Sequence, residues 1–160
     1  MFSNQPKLDP NPLPFPSPNP PKDDEDDKLK IFYATYTKTN SITGQVYSGR
    51  TSGVCDCKNG DEPTKAEADA AVGGREKGHL VLKKEKFSPA QLDRASRNKD
   101  AIKGREQDLV DANGGAQSEK GYSRNKIRAV SRKKAAYYQT QSQLKFGKLP
   151  NNNPADKIKY

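Results

Sequence analysis

The chain has 160 residues, 29 of them Lys or Arg and 20 Asp or Glu, for a formal charge of +9. Leu, Ile, Val and Phe together number 25, about 16% of the chain, below the roughly 20% that marks a chain able to build a generous interior. A large multi-domain enzyme is excluded, and no apolar run approaches the ~20 residues that cross a bilayer. The expectation is one small domain behind a flexible segment, with no membrane partner.

Residues 1–28 read as a disordered linker. Eight of the twelve prolines lie in 1–21, and alternate positions from Pro10 to Pro18 are proline. That spacing imposes extended chain and removes backbone donors. The acidic run Asp23–Asp27 repels itself and stays solvated. The linker carries −3, leaving +12 on residues 29–160, and +9 of that falls within 119–160. A field of this size favours a polyanion, most often nucleic acid. The competing reading is ordinary solubility charge. No basic stretch followed by an apolar run stands near Met1, so no signal peptide is expected. Export would need another route, and otherwise the protein is cytoplasmic.

Order is expected from Leu29. Ile31–Thr37 is aromatic and β-branched, which suits a strand with Phe32, Ala34 and Tyr36 on one face. Asn40–Gly44 supplies turn chemistry, and Gln45–Ser48 reads as the returning strand of a hairpin. Residues 50–63 read as a polar loop. It holds Cys55 and Cys57, whose spacing is awkward for a disulfide and which fall short of the four ligands of a zinc site. They are expected to be a loop pair without a special role.

Thr64 caps a predicted helix through the Ala-rich stretch, and Gly73-Gly74 weakens or breaks it. Arg75–Leu82 is predicted to continue as helix, with Arg75 and His79 on one face at i, i+4. Ser88-Pro89 predicts the start of a helix over Ala90–Arg97. Ala101–Ala112 is a further helical pattern ended by Gly114-Gly115. Within it Glu106 lies one turn from both Ile102 and Val110, beside the buried stripe. The tail is rich in Arg and Lys, holds Tyr137-Tyr138, and ends in a polar stretch at Asn151–Pro154.

Taken singly, Tyr36, Tyr47, Arg75, His79 and Glu106 have ordinary structural readings as packing or surface residues. Their order and spacing say more. Ala34-Thr35-Tyr36 and Tyr47-Ser48-Gly49 place two tyrosines eleven residues apart across the hairpin. Arg50-Thr51-Ser52 follows, then Arg75 and His79, then Glu106, then Asn125. This series resembles the GIY-YIG nuclease superfamily over roughly residues 30–130. Both signature triplets keep the tyrosine, and the second keeps its glycine. The Arg50–Arg75 interval is longer than usual for the family and implies an inserted loop holding the two cysteines.

The resemblance implies an α+β fold over 29–160, with a short, mainly antiparallel sheet flanked by helices. It also implies hydrolysis of a DNA phosphodiester bond. In that chemistry a water loses a proton, charge develops on the phosphoryl oxygens, and a leaving alkoxide is neutralised. Tyr47 or Tyr36 would take the proton, with Tyr33 an alternative to Tyr36. A phenol with an unperturbed pKa near ~10 needs cations beside it to act as a base, and Arg50 and Arg75 would supply them. His79 would orient a tyrosine or relay a proton. Glu106 would hold one Mg²⁺ or Mn²⁺, with Asp108 a poorer alternative on another helical face. Asn125 would steady the site through hydrogen bonds. Lys126, Arg128, Arg132, Lys133 and Lys134 would neutralise flanking phosphates.

A short nuclease domain behind a Pro-rich, acidic linker also resembles the C-terminal toxin modules of bacterial polymorphic toxins. That implies delivery into a rival cell's cytoplasm by a type VI or similar apparatus, and a cognate, acidic immunity protein in the producer. Three other readings stay open: a housekeeping repair or restriction nuclease, a non-catalytic basic nucleic-acid-binding module, and a toxin of another class.

Overall fold

The computed structural model describes residues 29–58 and 61–153. The expected linker over 1–28 and the last seven residues lie outside the described residues. Three strands form one antiparallel sheet in the order β2-β1-β3: β1 is Lys30–Thr39, β2 is Val46–Cys55 and β3 is Gln91–Ser96. The helices are α1 (Lys65–Gly73), α2 (Leu80–Lys84), α3 (Lys99–Ala112) and α4 (Arg132–Phe146). The fold is therefore α+β, with helices laid on an antiparallel sheet.

The β1–β2 hairpin is where its sequence predicts. Asn40 Oδ1 accepts the backbone N–H groups of Ile42 and Thr43, and Gly44 takes a positive φ of 74° to finish the turn. Both strands are longer than expected. Each has ten residues, and the pairing runs from Thr39↔Val46 to Lys30↔Cys55. The stretch expected to open a polar loop thus remains in the ladder as far as Cys55. Its small and β-branched residues, Thr51, Gly53 and Val54, fit against β1.

One face of the sheet carries the apolar core. Phe32, Ala34 and Tyr36 on β1 pack with Cys55, Cys57, Ala68 and Val72 beneath α1. A capping box holds the start of α1: Thr64 Oγ1 accepts from Glu67 N–H, and the Glu67 carboxylate accepts from Thr64 N–H. Cys55 and Cys57 form a disulfide, contrary to expectation. At the end of β2 their Cα atoms stand 5.2 Å apart, inside the range a disulfide spans, and both sulfurs are sealed in the core.

Beneath α3 the other face mixes buried apolar side chains of that helix, Ala101, Ile102 and Val110, with polar pairs. Asp93 on β3 accepts two hydrogen bonds from the buried guanidinium of Arg105, at 2.7 and 2.9 Å, and one from Thr35 Oγ1 at 2.8 Å. Asn98 Oδ1 caps α3 by accepting from Ala101 N–H. α4 packs along the outer side of α3. A Cβ on Gly104 would lie 1.8 Å from the carbonyl oxygen of Tyr138, so only glycine lets the helices meet this closely. Asp108 is buried there and accepts from Ser142 Oγ at 2.8 Å. The low apolar content is thus offset by paired polar groups inside the fold.

Three other expectations are corrected. Ala90–Arg97 is not a helix. Gln91–Ser96 pairs with the second edge of β1, Ser88 Oγ accepts from Thr39 N–H rather than capping a helix, and tertiary pairing overrides local preference. Arg75–Leu82 is not a continuous helix: a 3₁₀ turn at Glu76–Gly78 follows Gly74, and His79 has φ −115° and ψ 41° before α2 begins. Finally, the basic tail folds as α4, for which no element is expected from the sequence pattern.

Candidate active site

The site is built around the free edge of β2. Residues paired across an antiparallel ladder share a face, so Tyr47 (opposite Lys38) and Gly49 (opposite Tyr36) lie on the α1 side. Arg50, opposite Thr35, lies on the α3 side. Tyr36, Tyr47, Arg75 and His79 gather on the first side, and Arg50 and Glu106 on the second.

The aromatic residues form a triangle. The ring centroids of Tyr36 and Tyr47 are 6.4 Å apart, those of Tyr36 and His79 5.9 Å, and those of Tyr47 and His79 5.3 Å in an edge-on arrangement. Tyr36 Oη lies 3.4 Å from His79 Nε2. Tyr36 is wholly buried, and burial outweighs the nearby Arg75 guanidinium, so its phenol is pushed up to about 12. Burial also raises the phenol of Tyr47, helped by the negative charge of Glu106. His79 is pushed below its ordinary value, first by burial and then by Lys38 and Arg75. Its Nδ1 is buried without a hydrogen-bond partner.

Lys38 is a member that the sequence does not advertise. Only 2% exposed, it extends beneath the site to Glu76 at 3.0 Å. Glu76 also accepts the N–H of Ala90. This pairing fixes the 3₁₀ turn, and the turn presents Arg75 at one end and His79 at the other. Arg75 and His79 therefore meet Tyr36 without the helical spacing expected of them. An isolated Lys in a strand pattern gives no signal that a carboxylate 38 positions later will meet it.

Across the edge, Glu106 projects from the middle of α3 with its side chain 14% exposed, and Arg50 Nε approaches it at 3.3 Å. Burial raises its carboxyl despite the arginine. Asp108 faces α4 and takes no part. Tyr33 lies on the opposite face of β1 from Tyr36, with Lys99 over its ring at 5.6 Å.

Asn125 extends the sheet with its side chain. Its Oδ1 accepts Ser48 N–H at 2.9 Å, and its Nδ2 donates to Ser48 O at 2.7 Å. The carboxamide thus imitates a neighbouring strand and pins the 123–125 segment to β2, with Arg124 N–H donating to Val46 O beside it.

Tyr47, Arg50, His79, Glu106, Asn125, Lys126 and Arg128 border one cleft of about 580 Å³, whereas Tyr36, Arg75 and Lys38 do not reach its wall. Lys77 and Arg124 also line it and were missed, each being one surface cation among 29 basic residues. Arg124 is held by a two-pronged contact to Glu85 at 2.8 and 3.0 Å. Of the expected phosphate-binding tail, Arg128 and Arg132 are both tied to Glu119, and only Lys126 and Arg128 border the cleft, while Arg132, Lys133 and Lys134 sit exposed on the first turn of α4 away from it.

A single carboxylate facing a roomy, cation-rimmed cleft suits a hydrated hard cation such as Mg²⁺, which keeps most of its waters and binds one or two carboxylates together with substrate phosphate. Among the described residues no three His, Cys, Asp or Glu side chains converge on one ion position. Glu106, which Arg50 also pairs with, is among the described residues the one carboxylate lining the cleft that could hold such an ion. Comparison with protein-family models, curated proteins and solved structures finds no match.

Proposed function

We propose that the chain is a GIY-YIG-type, metal-dependent endonuclease that hydrolyses DNA phosphodiester bonds. The observation that carries this reading is convergence. Tyr47 from β2, His79 from the turn before α2, Arg50 from the β2 edge and Glu106 from α3 all face one basic cleft. These are the residue types that phosphodiester hydrolysis requires, brought together from distant stretches of chain.

Tyr47 is the phenol that faces the cleft, whereas Tyr36 is enclosed behind it. The attacking water gives its proton to the Tyr47 oxygen. Tyr47 passes its own proton to Tyr36, and Tyr36 passes one to Nε2 of a neutral His79. Oxygen from water bonds to phosphorus as the bond to the leaving oxygen breaks, and the leaving oxygen keeps that electron pair and takes a proton from a solvent water. Arg50 offsets the charge that builds on the phosphoryl oxygens, and Arg75, hydrogen-bonded to Tyr36 behind the cleft wall, favours the phenolate that the relay passes through. Glu106 would hold Mg²⁺ or Mn²⁺, which when bound supplies positive charge toward the leaving oxygen. Lys126, Arg128, Lys77 and Arg124 align the strand through its phosphates.

The biological setting belongs to the same proposal. A basic nuclease domain behind a proline-rich, acidic segment supports the reading of a toxin delivered into a competitor's cytoplasm and held in check by an acidic immunity protein. The test is plasmid cleavage by the purified chain in Mg²⁺ and in chelator, beside Glu106→Ala and Arg75→Ala. Cutting that needs Mg²⁺ and drops at least 100-fold in both variants is the expected result. Wild-type rates in either variant, or cutting in chelator, would overturn the assignment, and binding without cutting would leave a non-catalytic basic module.

A further inference from the structure

A second cleft of about 300 Å³ lies beyond Arg50, between the end of β2 and the start of α3. Three cations border it, Arg50, Arg75 and Lys99, together with Tyr33 and Ser52, and no carboxylate does. Lys99 is exposed, with its ammonium held over the Tyr33 ring at 5.6 Å.

The backbone supplies further donors. At the covered end of β2, Val46 and Ser48 turn their polar groups outward, where Arg124 and Asn125 meet them. Outward orientation alternates along a strand, so the N–H groups of Arg50 and Ser52 also face outward. The covering segment stops at Ser48. Among the described residues nothing pairs with the edge from Arg50 onward, and its N–H donors stand beside the second cleft with Arg75, Lys99 and Arg50, the last also reaching Glu106. Such a concavity of backbone donors and cations is an anion site.

The geometry points to a second phosphate subsite, formed by Arg50, Ser52, Arg75 and Lys99, that takes the phosphodiester next to the one cut. This rests on the nuclease reading and deepens it. Arg50 stands between the two clefts, so a strand crossing the β2 edge places one phosphate on each side of it. Substrate then has to be long enough to fill both, and a mononucleotide fills only one.

Two measurements test this. The first follows the amide resonances of Arg50 and Ser52 as inorganic phosphate is added to the wild-type chain, which involves no substitution. The second measures binding of a short DNA duplex in chelator against salt, for wild type and Lys99→Gln. The subsite predicts phosphate-dependent shifts at both amides, roughly 5-fold weaker duplex binding by the variant, and a salt slope smaller by about 0.9, the value of one phosphate contact. Shifts without a change in slope would overturn the strand-binding role and leave a site for free phosphate. A change in slope without shifts would reduce Lys99 to a long-range charge and overturn the built subsite. A chain that binds no DNA at any salt would sink the nuclease reading, while the amide shifts would still decide whether the anion site exists.

Discussion

The Cβ that Gly49 lacks would stand 2.5 Å from the Tyr36 hydroxyl. The two residues face each other across the β1–β2 ladder, and the missing side chain is the space the phenol occupies. Gly49→Ala must therefore push Tyr36 off His79 or bend β2. Overpacking of this kind costs about 1–3 kcal/mol. The expected outcome is a lower unfolding midpoint together with at least 10-fold slower cleavage. Tyr36→Phe, which keeps the ring, is expected to retain the stability and lose rate. Thermal unfolding and cleavage assays on the two variants separate packing from proton transfer.

Asn125 holds the Ser48 backbone, and its Oδ1 also accepts from Ser123 Oγ at 2.8 Å. Asn125→Ala leaves both backbone polar groups of Ser48 unpaired inside the fold, a loss of about 2–6 kcal/mol at about 1–3 kcal/mol for each unsatisfied group. Asn125→Asp keeps the acceptor for Ser48 N–H but sets a carboxylate oxygen against Ser48 O. Both variants are expected to unfold earlier in urea and to lose amide protection at Ser48, measured by hydrogen exchange. Undiminished protection in Asn125→Ala would show that the 123–125 segment holds without it.

Burial of Glu106 is unfavourable to the folded state. Burial raises its carboxyl above the ordinary 4.5, so on raising the pH the unfolded chain releases this proton first. Stability falls between the unfolded and folded pKa values and stays lower above both. Glu106→Gln removes that deficit. It is expected to have a higher Tm than the wild type at neutral pH, while losing cleavage. Added Mg²⁺ is expected to raise the Tm of the wild type and not of the variant.

His79 sets the acid limb. Its folded pKa lies below the ordinary 6.5, so it stays neutral and able to accept a proton at neutral pH. As pH falls, the unfolded chain takes up this proton first. Stability is undiminished above the unfolded value and is lost as pH falls through the folded one. Cleavage is expected to decline over the same acidic window, below the range of a free histidine. His79→Gln is expected to flatten the stability limb and slow cleavage at every pH. A stability profile that keeps its acid limb in the variant would assign it to another group.

Parts of this molecule were legible from its residues and parts were not. The hairpin, the capped α1 and the α3 pattern announce themselves because each is settled within a dozen residues: an Asx turn at Asn40, a capping box at Thr64, an apolar stripe through Ile102, Leu109 and Val110. The meeting of Tyr47, Arg50, His79 and Glu106 at one cleft is likewise foreshadowed by their order along the chain. β3 was illegible because Gln91–Ser96 is a strand only by virtue of the edge β1 offers it. Lys38 and the Cys55–Cys57 bond were missed for a related reason. Each depends on what the rest of the fold closes over it, and a short polar or cysteine-bearing stretch carries no trace of that enclosure.

An open sheet edge also has a cost unrelated to catalysis. Unpaired strand donors and acceptors invite the same strand of another copy, the usual beginning of edge-to-edge aggregation. The stretch of β2 beyond Ser48 is such an edge, and its outer flank carries Val54, 57% exposed. Arg50, Arg75 and Lys99 put like charge where a second copy would bring its own Arg50, so the three cations also act as guards against self-association. A variant that neutralises all three would be expected to lose that repulsion and to self-associate as its concentration rises.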